Sequence, residues 1–198
     1  VLRERYPDRP LGAFGVSLGG NALLKYLGEK GKETPLSAAM AVSVPFDLSN
    51  TSEHLTTGFS RIYQRHLINL VRKKVMEKHK VMPLPIDLDE FKQANTFYLV
   101  DNVAAKMHGF DSADDYYNKS SARQYLKSIT VPTLVLHSQN DPFMTPEAIP
   151  TAAELSSKVT LELTKTGGHV GFVYGRNPLK PKYWVDKRFR EFFEEQFL

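Results

Sequence analysis

Gly15-Val16-Ser17-Leu18-Gly19, entered from Leu11-Gly12-Ala13-Phe14 and followed at once by Gly20, sets the architecture of everything around it. The small and apolar residues from Leu11 to Val16 read as a short buried strand that ends at the serine. From Leu18 to about Lys30 the period turns helical. Ala22, Leu23, Tyr26 and Leu27 share one face, and the Gly28 to Gly31 region acts as the stop. A serine caught between strand and helix sits on a sharp, strained turn that lifts its Oγ above the sheet. The spacing predicts small residues two before and two after it, Gly15 and Gly19, where side chains would meet neighbouring backbone. The helix that follows aims its N-terminus at the hydroxyl, so the Leu18 N–H is placed to receive a developing oxyanion. An ordinary turn at a strand end uses glycine but has no need of serine at its apex.

Working outward, Leu2 to Tyr6 reads as the tail of a helix closed by Pro7 and Pro10. Ala38 to Val44 is a nearly continuous apolar run, as in a strand buried on both faces of a parallel sheet, and Thr133 to Ser138 reads the same way. In Val159 to Thr164, Val and Leu alternate with Thr and Glu, which predicts a strand near a sheet edge. Tyr183 to Leu198 places Val185, Phe189, Phe192, Phe193 and Phe197 on one side of a helix. This alternation predicts an α/β fold with a mostly parallel sheet and right-handed crossovers. The stretch from 48 to 128 is helical in pattern, rich in charge and aromatics, and too long for an ordinary connection. It is expected to be a helical cap inserted into a core made of 1–47 and 129–198, over the carboxyl ends of the strands.

A serine hydroxyl needs a base to take its proton, and the base needs an acid to orient it. Asp141, in Ser138-Gln139-Asn140-Asp141-Pro142-Phe143, follows a strand; His169, in Gly167-Gly168-His169-Val170-Gly171-Phe172, follows the next. The order serine, acid, histidine suits a nucleophile elbow. Asp141 can instead cap the helix expected near Pro146, and Asp47, after the preceding strand, is the alternative acid. His54, His66, His79 and His108 lie in the insertion, and His137 lies inside a strand as a core histidine. No histidine–carboxylate spacing fits a metal site, so neither a metal nor a cofactor is expected.

The chain has 198 residues, 41% hydrophobic and 24% charged, enough for one domain with an inserted subdomain. A formal charge of +4, without a recognisable nucleic-acid motif, argues against a nucleic-acid partner. The absence of cysteine excludes disulfides and a Cys nucleophile and fits a reducing, cytoplasmic setting. No apolar run approaches the roughly 18 residues of a membrane span.

With these motifs in place, the sequence resembles the YheT-like branch of the α/β-hydrolase superfamily along essentially its whole length. Gly15-Val16-Ser17-Leu18-Gly19-Gly20-Asn21 resembles its elbow, and Asp114-Asp115-Tyr116-Tyr117 with Ser120-Ser121 the end of its cap. Val131-Pro132-Thr133 through Phe143 resembles its acid strand, and Gly167 through Phe172 its histidine loop. The resemblance implies an α/β-hydrolase fold and an esterase, acyltransferase or phospholipase activity on Ser17, Asp141 and His169, with a small-molecule ester as substrate. It also implies an N-terminal half, carrying further strands and a second oxyanion donor, that this stretch does not contain. The expectation is that this half, or another copy of the chain, completes the sheet, and that the first strand is otherwise an exposed apolar edge.

Arg61 to Lys80 threads Ile62, Leu67, Leu70, Val71 and Val75 through a basic stretch, which reads as a solvated helix face or a contact with anionic lipid. Phe59, Tyr63, Phe97, Tyr98, Phe110, Tyr116 and Tyr117 are candidates for an acyl pocket, chiefly through packing. Hydrolysis of short- or medium-chain acyl esters is the expected reaction. Acyl transfer to an alcohol on the same triad, and a silent binding module, stay open.

Overall fold

The structure is a computed structural model that describes residues 1–175, 177 and 179–198. After a single helical turn, α1 (Leu2–Arg5), the chain alternates β1 (Gly12–Val16), α2 (Leu18–Lys30) and β2 (Ala38–Val42). It later returns as β3 (Thr133–Ser138), β4 (Val159–Thr164) and a terminal helix, α8 (Trp184–Phe197). The strands form one parallel sheet in the order β1-β2-β3-β4. Between β4 and α8 lies a small antiparallel ribbon, β5 (Val173–Tyr174) with β6 (Lys182–Tyr183). Two-residue strands carry no periodicity, so sequence reasoning missed them.

Each central strand buries both of its faces. Ala39, Ala41 and Val135 point to one side, where they pack with Leu24 and Leu27 of α2, Phe46, Ala122, Leu126 and Ile129. Ala38, Met40, Val42, Leu134 and Leu136 point to the other, against Phe172, Phe192 and the partly buried Phe193 and Phe197. A period of two shared between two apolar layers explains the unbroken apolar runs. β4 is an edge strand with mixed burial, as its alternation predicts. β1 is the opposite edge: among the described residues it pairs only with β2, and Phe14 and Val16 are 43% and 38% exposed.

The helix stops within the expected Gly28 to Gly31 region, but not at Gly28 itself. Gly28 lies inside α2, where a Cβ would come within 2.4 Å of the Tyr125 carbonyl oxygen, and the stop is Gly31 at φ +49°. That close approach binds residues 121–128 to the sheet. The chain accordingly divides into a sheet unit (1–46, 121–142 and 146–198) and a helical unit (47–120 with 143–145). Residues 121–128, expected in the insertion, thus group with the sheet unit, whereas Asp47, expected in the core, and residues 143–145 group with the helical unit.

The helical unit contains α3 (Leu48–His54), α4 (Ser60–Val81), α5 (Leu88–Gln93), α6 (Phe97–Ala105) and α7 (Ala113–Ser120). Ile68, Phe91, Ala94 and Val100 form one small core, with Val71, Val75 and Phe97 packed against it. Leu48, Ala113 and Tyr117 form another. Ile62 and Leu70 on basic α4 remain exposed. No helix among the described residues is long and apolar enough to cross a membrane.

Candidate active site

β1 delivers Ser17 to the carboxyl rim of the sheet, where its N–H donates to the Val42 carbonyl at 2.8 Å. Ser17 has φ +53° and ψ −125°, a backbone conformation that costs a non-glycine residue of the order of 1–3 kcal/mol. Such strain persists where the surroundings enforce it. A Cβ on Gly15 would stand 2.6 Å from the Gly19 carbonyl oxygen, and one on Gly20 would stand 2.8 Å from Val44 Cγ2. At Gly19, by contrast, an added Cβ meets nothing within 4 Å among the described residues. The expectation that Gly19 must be small is thus corrected: α2 crosses β1 so that Gly20, not Gly19, faces the strand. Leu18 opens α2, so its N–H has no acceptor within the helix and lies at the positive end of the helix dipole.

The remaining groups come from the next strand ends. Asp141 lies just beyond β3, and its side chain is only 2% exposed. His169 follows β4 on a turn in which Gly168 takes φ +62° and the Phe172 N–H closes back on the Gly167 carbonyl at 2.9 Å. The imidazole bridges the other two residues. Its Nδ1 is 2.9 Å and 3.1 Å from the Asp141 oxygens, and its Nε2 is 2.9 Å from Ser17 Oγ. With the carboxylate accepting from Nδ1–H, the tautomer leaves Nε2 free to accept the serine hydrogen.

Ser43 supports this arrangement and escaped sequence reasoning. It is fully buried at the end of β2, holds φ +52°, and its Oγ donates to the His169 carbonyl oxygen. A lone hydroxyl inside the apolar run Ala38 to Val44 was the available signal. Among the described residues, Ser17, Ser43 and Phe172 are the non-glycine positions with positive φ, and all three lie at this rim.

The alternative acid is engaged elsewhere. Asp47 Oδ1 accepts from the Asn50 N–H at 3.0 Å and caps α3 in the helical unit. His137 is fully buried in β3 beside Phe46, with no hydrogen-bond partner among the described residues for either ring nitrogen. Burial lowers its pKa, opposed by Asp141 and reinforced by His169. His79 Nδ1 accepts from the Leu84 N–H. Among the described residues no group of three His, Cys, Asp or Glu stands close enough to hold a metal ion.

The candidate pocket aromatics scatter within the helical unit. Phe97 packs in its core, Tyr98 Oη lies 2.9 Å from an Asp114 oxygen, and Phe110 stacks edge-on to Tyr116. Phe59 is 70% exposed, and Tyr63 stacks against Phe143.

The family model described as "alpha/beta hydrolase fold" matches residues 1–175. YheT of Escherichia coli (strain K12) is 40% identical over 190 residues, which is 94% of this chain and 56% of that protein. The phospholipase ABHD3 of Mus musculus is 35% identical, over 98% of this chain and 47% of its own length. The monoacylglycerol lipase of Saccharomyces cerevisiae is 33% identical, over 89% and 41%. The chain thus spans about half the length of the curated relatives it matches. An esterase of Pyrococcus furiosus, 17% identical, superposes over 98% of this chain and 57% of its own with a TM-score of 0.53. At that identity the likeness concerns the fold alone.

Proposed function

The chain belongs to the α/β-hydrolase fold family, and on that ground we propose that it is a serine hydrolase of carboxylic esters working through an acyl-enzyme on Ser17. What supports the reading is the unbroken series from the Ser17 hydroxyl through His169 to the Asp141 carboxylate, with each link at 2.9 Å. As Ser17 Oγ bonds to the ester carbonyl carbon, His169 Nε2 takes the hydroxyl proton and Asp141 steadies the imidazolium. The Leu18 N–H donates to the oxygen that gains negative charge. When the tetrahedral intermediate collapses, the C–O bond to the alcohol breaks and His169 returns the proton to that leaving oxygen. Water, deprotonated by the same imidazole, then attacks the acyl carbon, and the carboxylic acid leaves as Ser17 regains its hydrogen.

Short- and medium-chain acyl esters are the proposed substrates. An alcohol in place of water would give transesterification by the same steps, and one relative is named a medium-chain fatty acid ethyl ester synthase/esterase. A silent binding module has no use for a strained serine held against a paired imidazole.

A fluorophosphonate probe tests the reading directly. Labelling is expected in the parent, lost in Ser17→Ala and strongly reduced in His169→Ala. A parent that stays unlabelled, or a Ser17→Ala variant labelled as fast as the parent, would overturn it. A series of p-nitrophenyl esters of rising chain length then reports the acyl preference.

A further inference from the structure

We propose that Asn140 is the positioning residue that holds the histidine loop in its working conformation, through one side-chain oxygen shared by two successive backbone N–H groups. The proposal rests on the acyl-enzyme reading above and adds to it a residue outside the triad.

Asn140 Oδ1 accepts from both the Gly167 N–H and the Gly168 N–H, each at 3.0 Å. Only an acceptor can face two donors, so the orientation of the amide is fixed by its partners. Ser138 Oγ reinforces the junction. It lies 2.7 Å from the Gly168 carbonyl oxygen and 3.1 Å from Asn140 Oδ1, so its hydrogen goes chiefly to the carbonyl.

The need for such a clamp follows from the sequence of the loop. Two adjacent glycines precede His169, and glycine has the largest conformational freedom to lose on ordering. Gly168 must also hold φ +62°, one of many conformations open to it. Left untied, the loop would carry the imidazole through a range of positions around Ser17. The division of labour is then clear. Asp141 orients the ring through Nδ1, and its chain neighbour Asn140 fixes the backbone from which the ring hangs. A neutral amide does this without adding a second negative charge beside the imidazole.

The test compares Asn140→Ala and Asn140→Asp with the parent, using ester kinetics, the fluorophosphonate labelling rate, pH profiles and thermal midpoints. Asn140→Ala removes the shared acceptor. Its kcat and labelling rate are expected to fall about 10- to 100-fold with KM nearly unchanged, the scale of loss for a modest misplacement of a reacting group. Asn140→Asp keeps an acceptor oxygen. It is expected to recover most of the rate at alkaline pH while moving the acidic limb of the profile upward, because the added carboxylate favours the imidazolium. An Asn140→Ala rate equal to the parent's would overturn the assignment, as would an Asn140→Asp variant no faster than Asn140→Ala at any pH. A rate loss that vanishes once activity is expressed per folded molecule overturns it too. A labelled parent with an indifferent Asn140→Ala sinks the clamp alone, whereas a parent that is never labelled removes the esterase reading and the clamp with it.

Discussion

Each unit of the molecule contains a hydroxyl linked in series to a carboxylate, and the group between them separates the two. In the sheet unit the series runs Ser17, His169, Asp141. In the helical unit Tyr117 Oη lies 3.1 Å from Ser52 Oγ and 2.7 Å from Asp101 Oδ2, with the phenol donating to the carboxylate. An imidazole takes up and returns a proton near neutral pH. The Tyr117 phenol does neither: burial first, and then the charge of Asp101, raise its pKa far above the ordinary phenol value. The surroundings of the carboxylates differ as well. Burial pushes Asp101 up to about 6, against a pull downward from the Tyr117 hydrogen bond. On the proposed reading, similar connectivity serves chemistry in one place and cohesion in the other. A proton relay requires a middle member that can change its protonation state.

The largest effect expected from breaking this contrast is on rate. Asp141→Asn should leave Ser17 and His169 close together but favour the wrong imidazole tautomer, lowering kcat by about a thousand- to ten-thousandfold. Stopped-flow or steady-state ester hydrolysis measures it, and a loss of less than tenfold would deprive Asp141 of its role. The counterpart, Asp101→Asn, should leave the rate per folded molecule unchanged and alter stability with pH. A carboxyl whose pKa is raised on folding contributes stability that is fully present below about pH 4 and lost as pH rises through about 6. The interval between 3.8 and about 6 corresponds to about 3 kcal/mol above that window. Denaturant midpoints should thus show Asp101→Asn gaining on the parent by up to that amount at pH 8 and losing the advantage by pH 4. A difference that does not vary with pH would contradict the buried charge.

Tyr117→Phe leaves the Asp101 carboxyl without its donor inside the helical unit, which should cost about 1–3 kcal/mol at neutral pH with ester turnover per folded molecule intact. Ser52→Ala removes the weaker of the two links and should cost about 0.5–1.5 kcal/mol. If Ser52→Ala or Tyr117→Phe abolished turnover in a folded protein, the second series would share in the chemistry and the contrast would fail.

The sheet and the candidate triad were legible because their signals are local. Apolar runs mark β2 and β3, the elbow spacing marks Ser17, and Asp141 and His169 each stand a few residues beyond a strand. The second series was not legible: Ser52, Asp101 and Tyr117 belong to three different helices, and nothing near any of them in sequence points to the others. The same limit hid the role of Gly28, whose neighbour Tyr125 lies almost a hundred residues on, and with it the grouping of residues 121–128 with the sheet unit. At Gly19 and Gly20 the motif was visible but not the crossing geometry that makes the second glycine the tight one. His137 was readable as buried, whereas the lack of partners for its ring among the described residues appears only in three dimensions.

The backbone twist at Ser17 carries an evolutionary corollary. Glycine adopts that twist at little cost, so exchanging Ser17, the proposed nucleophile, for glycine is expected to yield an inert protein that melts at a higher temperature than its parent. On the proposed reading, selection for turnover opposes a change that selection for durability alone would favour. Once the reaction is no longer needed, this is the position where a descendant should first trade its chemistry for robustness.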